Sequence, residues 1–158
     1  MNQTMKNNQL DTLQGLKKGK KVYETFRSFY QQGYLNASQL AAIYSEDIVF
    51  RDPIHTVHGL LALADYFAAL GKNLNSCRFE FIEELIGDDS VHITWQMYFS
   101  HRRIAGGREQ CVRGMTLIHI DDDKICYHED CYDLGATVYE HLPLMGRLVR
   151  AIRKRLSA

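Results

Sequence analysis

Beyond residue 75 the apolar residues stop recurring every three or four positions and begin to alternate, and this change of period most limits what the chain can fold into. Before it, Val22, Phe26, Phe29 and Tyr30 recur at helical steps between Leu16 and Gln32. Leu60, Leu63, Ala64, Phe67 and Leu70 do the same between Gly59 and Leu74. Between these two helices Asn36 or Ser38 can cap a short one whose Leu40, Ala41, Ile43 and Tyr44 face inward. Ser45-Glu46-Asp47 reads as a turn, and Ile48-Val49-Phe50 as a short strand that Pro53 stops. After the change, Arg78–Ile86, Val91–His101, Glu109–Ile120 and Lys124–Asp133 each alternate with period two. Gly87-Asp88-Asp89, Gly106-Gly107 and Asp121-Asp122-Asp123 join them too tightly for crossover helices, which predicts an antiparallel meander. Helices first and a sheet afterwards make the class α+β.

A chain of 158 residues suffices for one sizeable core. Its 19 basic and 19 acidic side chains cancel, which removes the electrostatic case for a nucleic-acid partner. No run approaches the roughly 18 to 20 apolar residues of a membrane-spanning helix. Met1–Leu10 is polar and does not read as a secretion signal, so the expected location is cytoplasmic and Cys77, Cys111, Cys126 and Cys131 are expected to be reduced. Three segments follow: a loose leader over 1–15, one domain over 16–133, and a basic tail over 134–158. In the tail, Glu140 is the only acidic residue against Arg147, Arg150, Arg153, Lys154 and Arg155, with an apolar stripe of Leu144, Leu148, Val149, Ile152 and Leu156. It predicts an amphipathic helix, interrupted near Pro143, whose composition suits peripheral contact with a membrane or packing on protein.

Two stretches carry a resemblance. Leu40-Ala41-Ala42-Ile43-Tyr44-Ser45-Glu46-Asp47-Ile48-Val49-Phe50-Arg51-Asp52-Pro53, followed by Val57-His58-Gly59, is one; Asp123-Lys124-Ile125-Cys126-Tyr127-His128-Glu129-Asp130-Cys131-Tyr132-Asp133 is the other. Together they resemble the nuclear transport factor 2-like superfamily, in its SnoaL-like and ketosteroid-isomerase-like branch. The resemblance covers about residues 20 to 135. It implies a cone-shaped, curved antiparallel sheet packed on three N-terminal helices around an apolar pocket, often as a homodimer paired through the sheet. The basic C-terminal helix is an addition to that pattern.

The same resemblance suggests which residues bear chemistry. Asp52 matches the position of the general base in ketosteroid-isomerase-like members, and a desolvated carboxylate is a better proton acceptor near neutral pH. The bland reading is a carboxylate that caps its own Asp-Pro turn. The isomerase's two oxyanion donors are not both matched: Phe29 stands where its tyrosine would be, with Tyr30 adjacent, and Met115 or Thr116 where its aspartate would be. A steroid isomerase is therefore not expected. His128, Asp130 and Tyr132 share one face of one strand, and SnoaL-like cyclases use a histidine and an aspartate for acid–base work. The bland reading there is a polar network at the rim.

An epoxide-hydrolase-like set would need Arg113 between Asp52 and Asp130, but its parity relative to Thr116 predicts the opposite face. His55, His58, His128 and Asp130 are too loosely spaced to predict a metal site, and no cofactor is expected. The pocket lining implied by the resemblance is Tyr30, Thr94, Gln96, Tyr98, Thr116, Ile118 and Tyr132. The alternate face of the second long strand, Val91, Ile93, Trp95, Met97 and Phe99, is then core or dimer seam. Two readings of function follow. One is a cofactor-independent isomerase, cyclase or hydrolase acting on a small apolar molecule through Asp52 or the His128–Asp130 pair. The other is a non-catalytic module that binds a small ligand or a protein on the same scaffold.

Overall fold

In the computed structural model, residues 19–32, 36–137 and 145–156 are described. The first helix, α1, spans 19–31 and buries Val22 and Phe26 with Phe29 and Tyr30 packed beside them, as its spacing predicts, and it buries Tyr23 as well. Helix α2 (Ala37–Ile43) opens on Asn36. The Asn36 side chain accepts from the Gln39 amide at 3.0 Å, and the Gln39 side chain accepts from the Asn36 amide at 3.0 Å. Lys124 donates to the carbonyls of Ala41 and Ala42 at 2.7 and 2.8 Å, which places a cation at the negative end of that helix.

Tyr44 is not part of this helix. It begins strand β1 (Tyr44–Arg51), and the turn expected at Ser45-Glu46-Asp47 is instead an irregular stretch of that strand. Tyr44 pairs with Ile125 and Val49 with Tyr127, so Glu46 and Asp47 bulge outward while Tyr44 and Ile48 stay buried. Strand β2 (Thr56–His58) folds back on β1, and Gly59, at φ +87°, admits the chain to helix α3 (Leu60–Gly71). This helix ends three residues before the expected Leu74. Leu74 already pairs with His101 in the sheet, and those ladder bonds compete with further helix.

The meander runs through β3 (Leu74–Ile86), β4 (Ser90–His101), β5 (Gln110–Asp121) and β6 (Lys124–Tyr132). A short 3₁₀ turn, Ala105–Gly107, joins β4 to β5. Asp122 and Asp123, both at positive φ, make the tight turn before β6. The six-stranded order is β2-β1-β6-β5-β4-β3, curved and unclosed. One expectation fails here: the sheet is not wholly antiparallel, because β1 runs parallel to β6. The chain leaves β1, crosses α3 to the far edge and returns, so the last strand arrives beside β1 pointing the same way.

Helices α1, α2 and α3 supply the layer whose buried side chains join the inner face of the sheet in one core. That inner face carries Val91, Ile93, Trp95 and Phe99 from β4, Val112, Thr116 and Ile118 from β5, and Ile125 and His128 from β6, all buried. Gly114 lies opposite Trp95, and a Cβ there would overlap the indole ring, so glycine is what lets the tryptophan lie flat on β5. A second expectation fails with this register. Thr94, Gln96 and Tyr98 lie on the outer face, because the apolar set 91, 93, 95 and 99 takes the inner one and successive side chains must alternate.

After β6 come a short helix α4 (Leu134–Thr137) and the basic helix α5 (Met145–Leu156). The expected leader over 1–15 and the expected break near Pro143 lie outside the described residues. Among the described residues no helix is long and apolar enough to cross a membrane.

Candidate functional site

Alternation along β6 turns His128, Asp130 and Tyr132 inward, and the register with β5 sets Ile118 opposite His128, Thr116 opposite Asp130 and Gly114 opposite Tyr132. His128 is fully buried at 0% exposure, yet both ring nitrogens have partners. Its Nδ1 lies 2.7 Å from the Tyr44 hydroxyl and its Nε2 lies 3.0 Å from Asp130 Oδ1. The Tyr44 hydroxyl is 2.9 Å from that of Tyr30, on α1. On the other side Thr116 donates to the same Asp130 oxygen, and Trp95 Nε1 donates to Thr116 at 2.7 Å. Six side chains from α1, β1, β4, β5 and β6 thus form one continuous chain of hydrogen bonds inside an apolar core.

The donor inventory orients this chain. Indole can only donate, so Thr116 accepts from Trp95 and its hydroxyl donates to Asp130, which must accept. With the proton of a neutral His128 on Nε2 donating to Asp130, Nδ1 accepts from Tyr44, and Tyr44 accepts from Tyr30. One neutral tautomer of His128 and an ionised Asp130 therefore satisfy every member. Burial pushes the phenols of Tyr30 and Tyr44 well up, with the Asp130 charge acting on both in the same direction, so both keep their protons. Phe26, Phe50 and Tyr44 pack their rings on the imidazole at centroid distances of 5.7, 4.9 and 5.9 Å, which holds its plane.

The parallel pairing of β1 and β6 brings a second carboxylate to the same end. Arg51 pairs with Glu129, so Asp52 follows at the level of Asp130. Asp52 Oδ1 accepts from the amides of Ile54 and His55 at 2.8 and 2.7 Å, and Oδ2 accepts from Tyr66 at 2.6 Å. Asp52 thus closes its own turn and ties it to α3. The phenol of Tyr132 feels both carboxylates. Burial first, then Asp52 and Asp130, push it up and keep it protonated, and burial with the Asp52 bond does the same for Tyr66. Asp130 keeps contact with solvent: its side chain is 21% exposed, whereas that of His128 is 1% exposed, and both bonds described for it end on Oδ1.

Of the residues singled out from the sequence, His128, Asp130, Thr116, Tyr30 and Tyr132 come together, and Asp52 stands beside them. Ile118 is a fully buried core residue beneath His128. Thr94, Gln96 and Tyr98 do not join the group. Gln96 and Tyr98 bond each other and Arg78 lies over the Tyr98 ring at 3.7 Å, while Thr94 lines a shallow depression of about 650 Å³ with Met115 and Leu117 on the outer face. Arg113 pairs across with Gln96 on that same outer face, away from the two aspartates. Among the described residues no three His, Cys, Asp or Glu side chains are placed to hold a metal ion.

Sequence reasoning missed Tyr44, Tyr66 and Trp95. Tyr44 fits the apolar stripe of the second helix and Trp95 a core or dimer-seam face, while Tyr66 stands outside the apolar stripe of the third helix and is not singled out by it. The usable signal was the need of a buried histidine for two partners, which tyrosines at apolar positions can meet with the polar tip of an otherwise apolar ring.

The model of the SnoaL-like domain matches residues 21–128. The chain belongs to the SnoaL-like domain family. No curated protein matches it in sequence. Among solved structures, a protein from Jannaschia sp. CCS1 named as a SnoaL-like polyketide cyclase is 14% identical with a TM-score of 0.65, over 75% of this chain and 90% of that one. A protein with a ketosteroid isomerase-like fold from Catenulispora acidiphila, in complex with trimethylamine, is 16% identical with a TM-score of 0.63, over 72% and 88%. An LEH-like epoxide hydrolase from M. tuberculosis is 12% identical with a TM-score of 0.62, over 76% and 86%. At these identities the SnoaL-like chain shares a fold with all three, and what each of them does is a property of that protein.

Proposed function

We propose that this SnoaL-like protein is a cofactor-independent acid–base catalyst for a small, largely apolar carbonyl compound, with Asp130 as the proton acceptor. The observation that carries this reading is the wiring of Asp130. One oxygen is fixed by Thr116 and by a fully buried His128, while the side chain remains partly open to solvent. A carboxylate held on one oxygen has the other in a fixed direction for a substrate, which is the geometric condition for general base catalysis. In the proposed step the C–H bond next to a carbonyl breaks and its proton goes to Asp130. The electron pair moves to the carbonyl oxygen, which accepts a hydrogen bond from the protonated phenol of Tyr132. Return of a proton from Asp130 to carbon completes an isomerisation or exchange.

His128 does not touch the substrate in this scheme. As a positioning residue it donates through Nε2 to Asp130, and its own ring is set by Tyr44 and Tyr30. Asp52 holds the turn and Tyr66, and its charge helps keep Tyr132 protonated. An epoxide-opening role receives less support, because Arg113 sits on the other face of the sheet.

The test is deuterium exchange of the α-protons of small apolar ketones, followed by proton NMR with the full chain. Exchange above the buffer rate that disappears in Asp130→Asn supports the reading. Ligand binding detected through Trp95, the single tryptophan, without any exchange would instead make the protein a binding module.

A further inference from the structure

Helix α5 presents a surface that the site described above does not use. Over Met145–Leu156 five residues are basic and none is acidic. A 100° step per residue sets Met145, Leu148, Val149, Ile152 and Leu156 within roughly a third of the circumference and the basic positions around the remainder. Ile152 is 49% and Leu156 83% exposed, so the described domain leaves the end of this apolar stripe uncovered. At 12 residues, the helix reaches about 18 Å, too short to cross a bilayer of about 30 Å, and its polar side carries one sign of charge only. An apolar stripe beside a polar face of one positive sign is the pattern of a helix that lies in an anionic lipid interface.

We propose that α5 lies in the plane of an anionic lipid surface, its apolar stripe among the acyl chains and its cations at the phosphates. The rival resting place is the outer-face depression of a second copy, lined by Leu85, Met115 and Leu117 with Glu83, Glu84 and Glu129. It suits α5 less well, since Glu84 already pairs with Arg27 at 3.2 Å and Glu129 with Arg51 at 3.6 Å. Two of its three carboxylates are thus already engaged.

The test is co-sedimentation of the full chain with phosphatidylcholine vesicles, with and without phosphatidylglycerol, at low and high salt. Binding is expected only with the anionic lipid and is expected to weaken as salt rises. Ile152→Asp with Leu156→Asp should abolish it without moving the melting midpoint, because both side chains are exposed. Arg153→Gln with Arg155→Gln should weaken it by about 25-fold, at roughly fivefold per cation. Equal binding to neutral and anionic vesicles, or no binding to either, overturns the proposal. So does a lipid-independent dimer of the unaltered chain that the Ile152→Asp, Leu156→Asp variant fails to form, which would seat the helix on a second copy.

Discussion

Asp52 and Asp130 stand at the same level of two neighbouring parallel strands, one residue past the pair Arg51 and Glu129, and from the sequence they were equal candidates. Their surroundings differ. Asp52 finds its partners within its own turn, in the amides of Ile54 and His55, and spends its second oxygen on Tyr66. Asp130 finds its partners in Thr116 on the next strand and in His128, two residues away on its own strand. That histidine is held in turn by tyrosines that begin β1 and end α1. A carboxylate bonded to its own turn shapes the backbone. One bonded across the sheet is aimed by the whole fold, and that is the arrangement a reacting group needs.

The sharpest test of this contrast is activity. Asp130→Asn is expected to lower any proton-transfer rate by about 100-fold to 10,000-fold while the protein stays folded, read as exchange rate against a thermal melt. His128→Gln should lower it less and shift the pH profile, as expected of a group that acts through another. Equal losses from Asp52→Asn and Asp130→Asn would erase the distinction.

Next in size are effects on stability. Gly114→Ala should cost about 1–3 kcal/mol in urea unfolding, because the added methyl overlaps the Trp95 ring that donates to Thr116. A cost near zero would mean that Trp95 does not lie flat on β5. Asp52→Ala should cost about 1–2 kcal/mol, leaving two amides and the Tyr66 hydroxyl without their acceptor. Asp52→Asn keeps the oxygen that closes the turn and should cost less. If Asn is as damaging as Ala, the charge of Asp52 matters more than its turn.

The smallest effect is a slope with pH. Burial raises the phenol of Tyr44 well above its ordinary range, so the folded chain retains a proton that the unfolded chain releases near pH ~10. Its contribution is complete below that pH and is lost as pH rises towards the folded value, at about 1.4 kcal/mol per pH unit. Unfolding measured at pH values on either side of 10 should therefore show a shallower decline for Tyr44→Phe than for the wild type. Identical slopes would mean that Tyr44 is not buried in the folded protein.

Much of the fold was legible because its signals are periodic. The switch of apolar spacing near residue 75 located three helices and four strands, and the acidic and glycine turns between the strands limited the meander to short hairpins. Where the reading failed, local chemistry was ambiguous. Tyr44 fits the apolar stripe of α2 as well as the first position of a strand, and Ser45-Glu46-Asp47 carries turn residues that here sit in a bulge of β1. On β4 two alternating sets were available, and a period of two cannot say which set faces the helices. The choice fell to the apolar set, which pointed Thr94, Gln96 and Tyr98 away from the residues they had been grouped with.

The candidate site divides in the same way. His128, Asp130 and Tyr132 could be placed on one face of one strand by counting alone, since strand geometry is local. That His128 is wholly buried, that Tyr44 and Tyr30 hold its far side, and that Trp95 reaches Asp130 through Thr116 depends on pairs 21 to 84 residues apart except for the Tyr30–Tyr44 and Thr116–Asp130 pairs, each 14 apart. By itself the sequence determined the elements, the class and the residues that share a strand face, because these follow from the geometry of a few neighbouring peptides. Only the tertiary structure decided which face is inner and which aspartate is aimed. Burial and long-range hydrogen bonding are properties of where the chain closes on itself, and no local pattern contains them.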